Sequence, residues 1–279
     1  MSSSDYIGYA PLYHFSCDCE SFAITPDVYI QRLVGNDDVE LNELTTHERS
    51  KLSYDVQYWL VVKDAASKHS LQVRVNDWML ALWVVRPTRL ELRFLFKNFP
   101  DGRKGFSRLC PIDWNREDVE HGPFTSTELH QAQKVFAVFE SITPESRLGM
   151  ALSLTYEAIS QHRWHAGIVL YSAAVETLLT NDRKERVTLQ LAKAYSALVA
   201  PGAADRSKAE KALRAAYVVR SDIVHGRNQL EEKNNERLRA LALWAAITRD
   251  IWQVVVVEPA ALQALQDTDP VRKAFLDKR

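Results

Sequence analysis

The chain has 279 residues, enough for one large domain or two smaller ones with buried cores. Apolar residues make up 46% and charged residues 25%, a balance that excludes disordered and fibrous classes. The formal net charge of −1 excludes a global positive field, so any nucleic-acid binding must come from a local patch.

The three cysteines are an odd count, which argues against a disulfide framework and suits a reducing compartment. The opening residues, Met1-Ser2-Ser3-Ser4-Asp5-Tyr6, lack a basic-then-apolar leader, and no uninterrupted apolar run approaches a membrane span. The expectation is a cytoplasmic protein without a membrane partner.

Residues 6–33 are rich in β-branched and aromatic side chains, punctuated by Pro11 and Pro26, and predict two or three short strands. Gly35-Asn36-Asp37-Asp38 is a turn signal. Thr45 and Glu48 have the spacing of a capping box, and a helix is expected from there to about Val61. Residues 70–85 are ambiguous: Leu71, Val75, Trp78, Leu82 and Val85 fit helical spacing, which the β-branched valines do not forbid, and Pro87 stops the run. Leu90 to Phe96 alternates as a strand does, Pro100 to Gly105 reads as a loop, and 106–126 reads as irregular or weakly β.

From about Ser126 Gly and Pro become rare while Ala and Leu become abundant. Helical patterns cover 127–141, 145–161, 164–180, 184–200, 206–225 and 231–257, with a shorter one over 260–277. The fold class expected is therefore α+β: a mixed α/β domain over 1–126, then an all-α domain over 127–279.

The helix before Gly226 carries the chemistry. Leu213, Ala216, Tyr217, Val219, Ile223 and Val224 form its apolar face, and Gly226 is placed to turn the chain left-handed after the last turn. Arg220 falls within that face, so its guanidinium must be paired or open onto a cleft. Glu176, beside the stripe Trp164, Ile168, Tyr171, Val175 and Leu178 of an earlier helix, is the candidate partner. His225 sits in the last turn, where the negative end of the helix dipole favours a protonated ring. A spacing of five residues sets Arg220 and His225 about 140° apart around the axis, which suits a site shared between two copies better than one confined to a single helix.

Arg220-Ser221-Asp222-Ile223-Val224-His225-Gly226 resembles the HEPN superfamily signature, an Arg, four residues and a His. Tyr217 and the Ile-Val-His-Gly ending resemble its Apea-like branch. Ala174-Val175-Glu176-Thr177-Leu178-Leu179 and Leu189-Gln190-Leu191-Ala192-Lys193-Ala194 are similar to two upstream helices of that branch, so the likeness covers about residues 144–256.

The resemblance implies a HEPN-like helical bundle and a metal-independent endoribonuclease without cofactor. The RNA supplies its own 2′-hydroxyl nucleophile, His225 handles the proton, and Arg220 neutralises the crowded phosphate with its planar fork. The products would carry 2′,3′-cyclic phosphate ends. The family usually shares the site between two units, so a homodimer is implied. Ser221, Asp222, Arg227, Asn228, Glu176 and Arg214 are the supporting or substrate-binding candidates. The resemblance also implies an effector in prokaryotic antiviral defence, its N-terminal domain acting as sensor, restraint or contact for other defence subunits.

Two positions depart from the family pattern. Ser221 stands where many active members carry Asn, Asp or His. Arg227 stands where a nucleotide-modified subclass carries Tyr, so regulation by that modification is not implied.

Other constellations are weaker. His14, Cys17 and Cys19, even with Cys110 and His121, match no zinc spacing; two thiols on one strand face are expected instead. His162, Trp164 and His165 cluster at a helix start, as caps or as substrate contacts. Arg183, Lys184, Arg186, Arg206, Lys208, Lys211, Arg214 and Arg227 outnumber Asp182, Glu185, Asp205 and Glu210, and form either a solvated face or a phosphate groove. The competing reading is a non-catalytic HEPN binding or assembly module in which Arg220 is structural. A weaker third is a small-nucleotide binder using the same pair.

Overall fold

A computed structural model describes residues 6–32, 39, 41–42, 44–64, 68–88, 91–109, 122–161, 163–180, 187–200, 202–227, 234–267 and 269–279. The chain divides into two compact units, Met1–Glu140 and Ser141–Arg279.

In the first unit the strands are β1 (Tyr6–Tyr13), β2 (Ser21–Thr25), β3 (Val28–Gln31), β4 (Val56–Asp64), β5 (Phe94–Asn98) and β6 (Lys104–Arg108), and the helices α1 (Thr46–Asp55), α2 (Lys68–Val85) and α3 (Ser126–Ser141). The strands form one antiparallel sheet in the order β2-β3-β4-β1-β5-β6. The register Tyr9↔Val61 and Tyr9↔Phe96 puts Tyr9, Val61 and Phe96 on one face, in a cluster with Tyr13, Trp59 and Phe94. Gly8 points the other way: a Cβ there would lie 3.3 Å from Leu95 and 3.5 Å from Leu71 of α2. β1 is therefore buried on both faces from Gly8 to Tyr13.

Two-sided burial of the central strands explains one difference from the sequence expectation. The capping box of Thr45 and Glu48 is present, but α1 stops at Asp55 and the next residues form β4. A central strand buried on both faces reads as a continuous apolar run, and such a run extends a helical pattern falsely. α2 settles the ambiguity at 70–85 as helix, with Trp78 to Val84 all buried. β6 accounts for the start of the 106–126 segment, and Gly102, with φ of 83°, turns the β5–β6 connection. The turn signal at 35–38 lies outside the described residues.

α3 belongs with the sheet. Asp18 accepts hydrogen bonds from the backbone N–H and the hydroxyl of Ser126, Gln133 donates to the Ile24 carbonyl at 2.7 Å, and Phe136 meets Trp78 edge to face. The first of the helices expected from 127 onward is thus part of the first unit. Cys17 and Cys19 lie in the β1–β2 connection, not on a strand face, with Sγ atoms 3.5 Å apart. Cys110 and His121 lie outside the described residues. Among those described, no three His, Cys, Asp or Glu side chains gather as a metal site would need.

The second unit is helical: α4 (Arg147–Ser160), α5 (Trp164–Leu179), α6 (Val187–Val199), α7 (Ala203–Val224), α8 (Asn234–Val257), α9 (Pro259–Gln266) and α10 (Asp269–Asp277). The pattern over 260–277 is two helices, not one, with a break at Asp267. α8 is the central member. Trp244 donates its indole N–H to the Ala216 carbonyl of α7, Trp252 donates to Thr155 of α4, and Tyr195 of α6 donates to Asp250 at 2.7 Å. The span Glu236–Val257 is long and apolar enough to cross a membrane by length and composition, although the sequence expectation held no such span. Its apolar residues Leu241, Trp244, Ile247, Ile251, Trp252 and Val255 are buried within this unit.

Candidate functional site

α7 places Arg220 where helical periodicity expects it. Leu213 and Ala216 are buried, and Tyr217, Arg220 and Ile223 are half-buried. Val224 leaves the expected stripe: it is 50% exposed, as is Val218 at 60%. The final apolar residue of the helix thus lies outside the core.

Three groups hold the guanidinium. Nη2 is 3.3 Å from Oε1 of Glu176, a charge pair without hydrogen-bond alignment. Nε donates at 3.3 Å to Oγ of Ser172, which is buried and itself donates to the Val169 carbonyl. The guanidinium carbon lies 5.2 Å from the Tyr217 ring centre, in cation–π range. Burial, and then the Glu176 carboxylate, push the Tyr217 phenol above its ordinary pKa. The Arg220–Glu176 pair expected from sequence is formed. Ser172 was not anticipated, although its place one turn before Glu176 on α5 is visible in the sequence.

α5 is itself anchored at its C-terminal end. Arg147 donates to the Thr177 carbonyl at 3.1 Å, and fully buried Arg272 donates to the Thr180 carbonyl at 2.6 Å. These bonds satisfy carbonyls that a helix end leaves open, and they fix the turn that carries Glu176.

His225 is the C-cap of α7 and is exposed. Gly226 follows with φ of 67°; its N–H bonds the Ile223 carbonyl, and the Arg227 N–H bonds the Asp222 carbonyl at 2.8 Å. This is a Schellman stop, with glycine where a Cβ would be strained. The helix therefore ends where the sequence predicts, with the His225 imidazole exposed at its cap.

Of the supporting candidates, Ser221 and Asp222 are half-buried beside the site and Arg227 is exposed after it. Arg214 is exposed and paired with Glu210 at 3.2 Å. Asn228 lies outside the described residues, as do Arg183, Lys184, Arg186, Asp182, Glu185 and His162. Arg206 is half-buried and donates to the Ala200 carbonyl at 3.1 Å, so it closes the end of α6 and is not a free groove cation. Lys208 and Lys211 are exposed.

A cavity of about 730 Å³ opens beside Arg206 and Glu210, lined also by Lys193, Lys273, Asp277 and Arg279. It lies toward the start of α7, fifteen residues or about 22 Å along the helix from His225. No family model, curated protein or solved structure matches this chain.

Proposed function

We propose that the protein is a metal-independent endoribonuclease of the HEPN type that acts as a homodimer in the cytoplasm. The observation that carries this reading is the contrast within one helix: a guanidinium fixed by Glu176 and Ser172, and five residues later an exposed imidazole delivered by a glycine stop. A fixed cation suits charge developing on phosphate oxygens, and a solvent-facing imidazole suits proton transfer to and from substrate.

In the reaction, one His225 imidazole removes the proton of a 2′-hydroxyl. The 2′-oxygen bonds to phosphorus as the P–O5′ bond breaks. The second copy's imidazole returns a proton to the leaving oxygen. Arg220 binds the non-bridging oxygens. No metal or cofactor takes part in this scheme. We further propose, on the resemblance alone, an effector role in antiviral defence, with the sheet unit as sensor, restraint or docking point for other subunits. Cleavage of mixed RNA in the presence of chelator, lost in His225→Ala, tests the reading.

The second reading is a non-catalytic binding or assembly module. It is favoured by one specific observation: the Arg220 guanidinium, only 23% exposed, is already engaged by Glu176, Ser172 and Tyr217. Under it, Arg220→Ala unfolds or loosens the helical unit and His225→Ala changes nothing.

A further inference from the structure

The helix start at Trp164 lies at the same end of the bundle as His225. Tyr217 interacts with Glu176, while Arg220, one turn later, bonds Ser172, one turn earlier. α5 and α7 are therefore antiparallel. From Ser172 back to Trp164 is eight residues, about 12 Å; from Arg220 on to His225 is five, about 7.5 Å. The two positions are thus offset along the bundle axis by about 4.5 Å counted from Ser172 and about 10 Å counted from Glu176, which Arg220 also meets, so both lie toward the same end. α8 reaches the same end. Trp244 is tied to Ala216, and Arg237, two turns before it, sets its guanidinium 5.7 Å from the Trp164 ring centre.

Trp164 is half-buried, although it opens a helix whose following turns are deep in the core. Arg237 lies over one face of its ring. His165 stands edge-on at 5.6 Å and 89°. Among the described residues around this end, Arg163, His165, His225, Arg227 and Arg239 are exposed, as is the acid Glu236, and Asp222 is half-buried. An aromatic ring backed by a guanidinium and surrounded by cations is the composition that grips single-stranded nucleic acid: bases stack, and phosphates meet charge.

We propose that Trp164, backed by Arg237, is a stacking platform for an unpaired RNA base adjacent to the phosphodiester presented to His225. This deepens the ribonuclease reading and rests on it for the identity of the ligand. Stacking on an aromatic face tolerates any base, so the platform contributes affinity and register without base choice.

The test is fluorescence anisotropy with a labelled single-stranded 2′-O-methyl oligonucleotide, which cannot be cleaved, beside an abasic strand of equal length. Wild type is expected to bind the base-bearing strand more tightly. Trp164→Ala weakens that binding about ten-fold and leaves the abasic strand unchanged, while Trp164→Phe stays within about three-fold of wild type. Equal binding by wild type and Trp164→Ala, equal losses on both strands, or no binding by wild type overturns the platform. Trp164-dependent binding without any RNA cleavage keeps the platform and removes the ribonuclease reading. Cleavage with unchanged KM in Trp164→Ala does the reverse.

Discussion

Nη2 of Arg220 stands 3.3 Å from Oε1 of Glu176, joining the penultimate turn of α7 to the last turns of α5. Both side chains are about three-quarters buried, at 23% and 26% exposure. Solvent screens such a pair only in part, and removing one partner strands the other. Arg220→Ala is expected to lower unfolding stability by about 1–3 kcal/mol, and Glu176→Gln by less. A double-mutant cycle in urea should give a coupling of about 1 kcal/mol. Additive effects would mean that the two charges do not interact.

Asp77 on α2 gives the sheet unit a pH-dependent stability. Burial first, and then the neighbouring Glu140 carboxylate, raise its pKa to about 7, while Arg74 opposes them. The folded state then holds a proton that the unfolded chain has released from about pH 4 upward. Stability therefore falls as pH rises from about 4 to 7, and the loss is complete above the folded value. Asp77→Asn should flatten this slope and be more stable than wild type at pH 8. Urea midpoints at pH 5 and pH 8 measure the effect; parallel slopes for the two proteins would contradict it.

Gly149 in the first turn of α4 has no room for a side chain. A Cβ there would fall on the backbone carbonyl oxygens of Thr143 and Pro144, in the turn that delivers the Ser146 cap. Backbone atoms cannot swing aside as a side chain can. Gly149→Ala is expected to cost about 1–3 kcal/mol in thermal unfolding, against the usual gain from Ala in a helix. A stabilised variant would show that the turn relaxes freely.

Gly226 makes a different demand, since nothing lies within 4 Å of an added Cβ but its φ is 67°. Gly226→Ala should cost about 1 kcal/mol from conformation alone, and Gly226→Asn less, because Asn tolerates the left-handed region. Under the proposed function both variants reduce cleavage more than stability, as they loosen the stop that presents His225. Parallel measurement of melting temperature and cleavage rate separates the two effects.

The α7 terminus was legible because it depends on local signals. Periodicity put Arg220 among Leu213, Ala216 and Tyr217, and glycine marked the stop after His225. Glu176 was legible as the acid nearest the facing stripe. Ser172 and the Trp244 indole bond were not, since both depend on which helices become neighbours. The sheet unit was harder to read for the same reason. β4 is buried on both faces over Tyr58 to Val62 and loses the alternation that marks a strand, and α2 is apolar all round from Trp78 to Val84. The assignment of α3 to the sheet rests on Asp18, Ile24 and Trp78, contacts that composition alone does not encode.

The central claim, that Arg220 and His225 of two copies act on one phosphodiester, is tested most directly by mixing. Wild type and His225→Ala are refolded together in varied ratio at fixed total concentration, so that mixed dimers form, and assayed on single-stranded RNA with chelator. Because the reaction uses both imidazoles at one phosphodiester, the account predicts that mixed dimers are inactive and that the rate of forming 2′,3′-cyclic phosphate ends falls as the square of the wild-type fraction. A rate in simple proportion to the wild-type fraction, or activity in the His225→Ala protein alone, would contradict it.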